Sequence, residues 1–242
     1  MSTGTLRDFC ARILGWNNER AVDQALRSLE LSASHRAHLV LYGDGDLVPV
    51  ALALHQRTLG TERPFIVCDP RRGNTPASVR APANLESGAT AFVAAAGGTL
   101  CLRRRRLPRD FAMLVPRLRA ADNVQYIVCA GEDDESPFTM LPAPILVRPL
   151  SDRSGELARI VEEYAVDAIA KLVARPSHFT NDDHGWVIRH SATSLSEIEK
   201  GTLRRVALRM SANLTSAAER LGMAPVSLSR WMLRRRSRRN SS

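Results

Sequence analysis

Lysine is almost missing from this chain: of 34 basic residues only Lys171 and Lys200 are lysines, and none precedes position 171. The scarcity points to a base composition that favours arginine codons, and it excludes a phosphate loop of the GxxxxGK[ST] type, whose lysine reaches the nucleotide's β and γ oxygens. Long apolar runs are also missing. None approaches the roughly 18 residues of a membrane span, and the opening MSTGTLRDFCARILGW lacks the pattern of a signal peptide, so a cytoplasmic chain with no membrane partner is expected. Cysteine is sparse and scattered. Cys10, Cys68, Cys101 and Cys129 form no CxxC pair and have few histidines nearby, so no metal site is expected and the thiols read as small buried groups in a reducing compartment. His178, His184 and His190 are spaced too irregularly for a metal and are expected to be exposed or capping.

What is there is charge, and it is concentrated at one end. From Gly201 onward there are ten arginines against the single acid Glu219, a surplus of +9 that equals the net charge of the 242-residue protein, so residues 1–200 balance. A basic end of this kind is expected to meet a polyanion, although RRRSRR could also be solubilising charge. The same stretch carries the punctuation of three helices. Ser194 and Glu197 stand at capping-box spacing, followed by Leu195, Ile198, Leu203, Val206, Ala207 and Met210 on one face. Asn213 or Thr215 caps a short second helix with Leu214, Ala217, Ala218 and Leu221, closed by Gly222; Pro225 opens a third with Val226, Leu228 and Met232. Two short helices across a glycine turn, with arginine on the second, describe a helix-turn-helix.

The segment NLTSAAERLGMAPVSLSRWMLR resembles the Fis-type helix-turn-helix at the C-terminus of bacterial enhancer-binding proteins, the NtrC-like activators of sigma-54 RNA polymerase. Asn213, Thr215, Ala217, Ala218, Leu221 and Gly222 carry the match. The resemblance implies that Asn213 and Thr215 anchor phosphates and that Ser227, Ser229 and Arg230 face the major groove; Arg234, Arg235 and Arg236, from the basic run, are also expected to contact DNA. The third helix opens with Ala224 and Pro225, where related proteins carry polar or basic side chains.

Ahead of it the pattern is different. HLVLYGDGD reads as a strand ending in glycines, LVPVALALHQRTLG as a helix and RPFIVCD as a strand, a βαβ unit; GGTLCL and VQYIVCAG are further strands with the helix LPRDFAMLVPRLRA between them. Asp44 and Asp46 place carboxylates in the glycine turn, where they would repel phosphates. The order of elements over residues 35–190 resembles a shortened AAA+ domain of the same family. The resemblance puts Arg103 and Arg104 where Walker B acids stand, Cys129, Ala130 and Gly131 at the end of the sensor strand, no sigma-contacting GAFTGA loop between Asn84 and Phe92, and Ser196 at the place of the lid arginine. EDDE, Glu132 to Glu135, reads as a solvated loop.

The expected fold is therefore α/β: a parallel-sheet, degenerate AAA+-like (P-loop-type) sandwich with a helical lid remnant and an all-α C-terminal helix-turn-helix. The expected division is an N-terminal helical segment 1–34, the α/β domain 35–150, a lid remnant 151–192 and the DNA-binding domain with its basic tail 193–242. The chain is expected to be no enzyme, with no catalytic residue, cofactor or metal. It is expected to act as a nucleoid-associated, dimeric regulator on double-stranded DNA, targeting an inverted repeat. The alternatives are an adaptor that modulates intact family members through its α/β body, or a Fis-like architectural protein.

Overall fold

The computed structural model describes residues 5–35, 38–120, 122–131 and 143–237, with the side chains of His35, Arg236 and Ser237 also left out. The elements in order are α1 (Leu6–Leu14), α2 (Glu19–His35), β1 (Leu39–Tyr42), α3 (Val48–Thr58), β2 (Phe65–Cys68), β3 (Ala83–Leu85), α4 (Gly88–Ala94), β4 (Thr99–Arg103), α5 (Phe111–Ala120), β5 (Gln125–Ala130) and β6 (Ile145–Leu146). Then come α6 (Leu157–Leu172), α7 (Asn181–Ser191), α8 (Leu195–Met210), α9 (Leu214–Arg220) and α10 (Pro225–Ser237). They fall into two compact units, residues 5–77 with 81–152, and residues 153–237 with 78–80.

The first unit is α/β, built on a six-stranded sheet in the order β3-β2-β4-β5-β1-β6 with every strand pair parallel. Parallel strands are covered on both faces, which is why β1, β4 and β5 read as near-continuous apolar runs. Successive side chains leave a strand on opposite sides. Val40, Leu100, Leu102, Tyr126, Val128 and Ala130 form one core with Ala91 and Ala95 beside α4 and Leu114 and Leu118 of α5. The alternate set includes Thr99 and Gln125, which meet α3 and α2 through a buried polar line. His55 Nδ1 lies 2.8 Å from Thr99 Oγ1, Thr99 donates to Gln125 Oε1 at 3.0 Å, and Gln125 Nε2 donates to Ser32 Oγ at 2.8 Å. The expected strands and helices of this unit are present. Gly15, at φ 105°, divides the helical lead-in into α1 and α2. The short elements β3, α4 and β6 were not expected from the sequence.

All four cysteines are buried and free. Burial pushes the Cys68 thiol up to about 12. EDDE lies outside the described residues.

The second unit is helical, and the helices before and after residue 193 share one core. Ala168 of α6, Leu203, Val206 and Ala207 of α8, Ala217 and Ala218 of α9, and Leu221, Leu228 and Trp231 are buried together, with Ile169, Leu172, Phe179 and Trp186 packed against them. Asp183 ties α7 to α8. It completes the capping box of α7 with Thr180, is fully buried, and accepts from Arg205 Nε at 2.6 Å and Arg209 Nε at 3.0 Å. Burial acts to raise its pKa, but the Thr180 N–H and the Arg205 guanidinium outweigh it and hold the carboxyl below the usual aspartate range. His178 accepts from the Arg175 N–H, and His184 bonds the Ala158 carbonyl at 2.9 Å.

Helix α6 ends on Val173, which takes the left-handed conformation at φ 53° with its side chain 90% exposed. A β-branched residue is strained there and glycine is not. Val173→Gly is therefore expected to stabilise the chain by about 1 kcal/mol, read as a higher thermal midpoint by circular dichroism. A neutral or lower midpoint would mean that the backbone at this cap carries no strain. Asp183→Asn is expected to cost about 2 kcal/mol through the loss of charge-assisted bonds. The sign with pH follows from the depressed pKa: the wild type keeps the Asp183 contribution above about pH 4 and loses it as pH falls through the lower folded-state value. The difference between wild type and variant should therefore shrink on acidification in urea titrations at stepped pH.

Candidate functional site

The turn between α9 and α10 is set by the residues the sequence marks. Asn213 is the N-cap of α9, its Oδ1 accepting from the Ser216 N–H at 2.9 Å. Gly222 takes φ 60° at the other end, where an L side chain would be strained. Pro225 opens α10, in the first turn where no backbone bond is lost. Leu228 and Trp231 face the core, which leaves Val226, Arg230 and Leu233 exposed on the far side of α10 and Ser227 and Arg234 exposed on its flank. A helix presented this way, with its rear seated in a core and a polar and basic front, has the form of a groove-reading helix.

The eight residues expected to touch DNA are placed differently from one another. Asn213 and Thr215 are exposed at the start of α9, and Ser227, Arg230 and Arg234 are exposed on α10. Ser229 is half-buried at the edge. Arg235 turns inward: it donates to the His190 carbonyl, to Ser191 Oγ at 3.0 Å and to the Glu197 carboxylate, and only 12% of its side chain is exposed. The Arg236 side chain and residues 238–242 lie outside the described residues. Glu197 itself departs from its sequence reading. Ser194 caps α8 by accepting from the Glu197 N–H, but the Glu197 carboxylate bonds Lys200 at 3.1 Å and Arg235 rather than closing a capping box.

The second place where function could sit is the edge of the sheet formed by the C-terminal ends of its strands, where α/β folds bind ligands. Gly43 follows β1 with φ 153°, and a Cβ there would meet the Val147 carbonyl oxygen at 2.8 Å. Asp46 Oδ1 accepts from the Val48 N–H at 3.2 Å, covering the donor that opens α3. Arg103, the last residue of β4, ion-pairs with Asp46 at 2.9 Å and with the fully buried Asp69 at 3.5 Å. Burial opposes the Arg103 charge, and Asp46 more than offsets it, so its basicity rises. Arg106 donates to Asp69 at 3.0 Å, and Asn84 holds the Asp69 backbone through bonds of 3.0 and 3.1 Å. As placed, these groups do not fit a magnesium–nucleotide. Both carboxylates are paired with arginine, whose cations stand where a magnesium ion would need open carboxylate oxygens. A cavity of about 690 Å³ nearby is lined by Pro70, Arg71, Glu86, Ser87, Arg109 and Asp110, with the Asp110 carboxylate bonded to the Gly88 and Ala89 N–H groups.

Sequence reasoning missed the buried pairing of Asp183 and the role of Asp69. The spacing of Asp183 after Thr180 was an available signal for the first, as a capping box. For the second, the Arg71 N–H at 3.1 Å and Arg72 at 3.9 Å are local partners, while Arg103 and Arg106 come from a distant part of the chain that no short window contains.

Arg103→Met is expected to destabilise the chain by about 3 kcal/mol, since it leaves the Asp69 charge buried with fewer cations. Urea unfolding monitored by circular dichroism would show it, and an unchanged midpoint would mean that Arg106, with Arg72 and the Arg71 N–H, satisfies Asp69 without Arg103.

No protein-family model and no curated protein matches the chain. Among solved structures it is similar to NtrX from Brucella abortus in complex with ADP, at 14% identity over 87% of this chain and 67% of that one, with a TM-score of 0.48. It is also similar to the same protein in complex with ATP, at 16% identity over 87% and 66% and a TM-score of 0.49, and to NtrX at 16% over 87% and 66% and 0.48. The chain thus spans about two thirds of the length of those chains. Neighbours solved with ADP and with ATP correct the expectation that this chain is no enzyme, and that classification is withdrawn. The Asp46, Arg103 and Asp69 arrangement describes a strand end and not the absence of an activity.

Proposed function

We propose that the chain is a transcriptional regulator that binds double-stranded DNA as a dimer, with α9 and α10 as its helix-turn-helix and residues 193–242 as its DNA-binding region. The observation that carries the reading is the division of α10. Leu228 and Trp231 are buried behind it while Val226 and Arg230 stand exposed in front and Ser227 and Arg234 on its flank. Asn213 at the start of α9 adds an amide near N–H groups that favour phosphate. A twofold dimer would carry two such helices, and its site would be an inverted repeat with half-sites about one turn, roughly 34–36 Å, apart. The reading includes a place on the nucleoid and a protein partner for the α/β unit.

A second reading is favoured by one feature. The first turn of α10 carries exposed Pro225 and Val226 where a polar side chain would read a base. An architectural protein that holds DNA by its phosphates and its deformability needs no such side chain.

The test is genome-wide occupancy of the tagged full chain beside the Arg230→Ala variant. A deletion of residues 212–242 would remove Ala217, Ala218, Leu221, Leu228 and Trp231 from a shared core, so a point change is the cleaner comparison. Discrete peaks sharing an inverted repeat are expected in wild type. In anisotropy titrations Arg230→Ala should lose about 1–3 kcal/mol on that repeat and relax its preference at one base pair. Equal loss on every duplex would make Arg230 a phosphate contact and favour the architectural reading. Absence of duplex binding by wild type would remove both.

A further inference from the structure

On the flank of α10 four guanidinium groups share very little negative charge. Arg204 of α8 lies over the ring of Trp231, 4.6 Å from its centroid, and Arg235 lies 5.3 Å from the same centroid. Burial lowers the Arg204 pKa to about 10; Glu197 opposes the shift, while Arg80, Arg235 and Arg234 add to it. Most of these cations have acceptors. Arg80 donates to the Leu221 and Gly222 carbonyls at 2.8 and 3.0 Å, Arg235 to His190, Ser191 and Glu197, and Lys200 to Glu197.

Arg204 differs. Among the described residues its guanidinium has no hydrogen-bond acceptor and no carboxylate in ion-pair contact. Arg234 makes only a long 3.4 Å bond to the Arg230 carbonyl one turn back. The indole N–H of Trp231, a residue only 9% exposed, is buried and has no partner among the described residues. Ser227, Trp231 and Arg234 stand at i, i+4 and i+7, so they share one stripe of α10 at the border of its exposed face. A buried polar donor without an acceptor is costly, and a guanidinium over an indole is oriented with its fork still open. Among the described residues this cluster holds several cations, and its one nearby carboxylate, Glu197, is taken by Lys200 and Arg235. A phosphate supplies both the charge and several acceptor oxygens.

We propose that Arg204, oriented over the Trp231 ring, and Arg234 form a seat for one backbone phosphate of duplex DNA on the flank of α10. The inference rests on the reading of α9 and α10 as the DNA-reading pair. The seat reads no base. It fixes the depth and register of α10 in the groove, from a helix outside the helix-turn-helix itself. Repulsion among the guanidinium groups is relieved when the phosphate arrives, so the seat also contributes to the salt dependence of binding.

The experiment uses the full chain, a labelled duplex of its preferred sequence, and duplexes in which single phosphates are replaced by neutral methylphosphonates. Arg204→Met keeps an aliphatic stem over Trp231 and removes the charge; Arg204→Lys keeps the charge. Wild type should lose about tenfold in affinity at one phosphate position, the size of one charge-assisted bond. Arg204→Met should be about tenfold weaker on the unmodified duplex, indifferent to that position, and lower in slope of log K against log salt by about 0.9. Its relative preference among sequences should stay as in wild type. Arg204→Lys should retain the slope. An Arg204→Met protein with wild-type affinity and slope, or one still sensitive at every position where wild type is, would overturn the seat while leaving the DNA reading in place. If wild type binds no duplex at all, the DNA reading itself fails. In that event a saturable tryptophan signal with inorganic phosphate, lost in Arg204→Met, would assign the seat to free phosphate and overturn DNA as its source.

Discussion

The seating of α10 on small residues is the constraint on which the helical unit depends. Leu228 and Trp231 are buried against Ala207 of α8 and Ala217 and Ala218 of α9, all three alanines at zero exposure. Large side chains set into a floor of alanine let helices approach closely and lock the rotamers of the large ones. A helix that reads a surface has to be held to within a fraction of an ångström, and this floor is what holds α10. The same core continues through Ala168 and Trp186, so the orientation of the exposed face depends on helices far from it in sequence. That is why the ties of Asp183 to Arg205 and Arg209 belong to the same problem as Arg230.

Residue type alone does not say which arginines belong to an interface. Counted by sequence, ten arginines after Gly201 look alike. Counted by acceptor they separate. Arg205, Arg209 and Arg235 have carboxylates or carbonyls of their own. Arg230 is exposed on the front of α10, and Arg204 lies beside it without an acceptor among the described residues. The charge available to a polyanion is therefore smaller than the surplus suggests and more localised. Electrostatic attraction falls off over a Debye length of roughly 8 Å in physiological salt, so location decides more than total charge.

Local signals were legible and long-range ones were not. Ser194, Asn213, Gly222 and Pro225 each act within a few residues of themselves, and each stands at the helix end its chemistry demands. The central strands were legible because burial on both faces makes them apolar throughout. β3 has three residues, α4 seven and β6 two, too short for either periodicity to show. Glu197 had the right spacing for a capping box, yet it pairs with Arg235, 38 residues away, and no window of sequence contains that competition. The candidate interface was legible in the same uneven way. Its capping and exposed positions were foreseen, while the inward turn of Arg235 and the role of Arg204 on a preceding helix depend on packing.

The two units resolve one difficulty alike. Asp69 in the sheet and Asp183 in the helices are both fully buried carboxylates, and each is paired with arginines: Arg103 and Arg106 from elsewhere in the chain, with Arg72 nearby, for one, and Arg205 and Arg209 for the other. A buried carboxylate has about four lone-pair directions to satisfy, and a planar guanidinium offers donors along an edge where an ammonium offers a compact charge. Two arginines can cover a carboxylate from two elements at once and so join them. A chain with only two lysines has the cation this arrangement requires, whatever the origin of that composition. At Asp183 the consequence is directional: the α7–α8 junction holds while that carboxylate is ionised and weakens when it is protonated. Removing a single arginine leaves a buried charge with too few partners, which is why the ion pairs around Asp69 and Asp183 set how far either unit can be altered and still hold its shape.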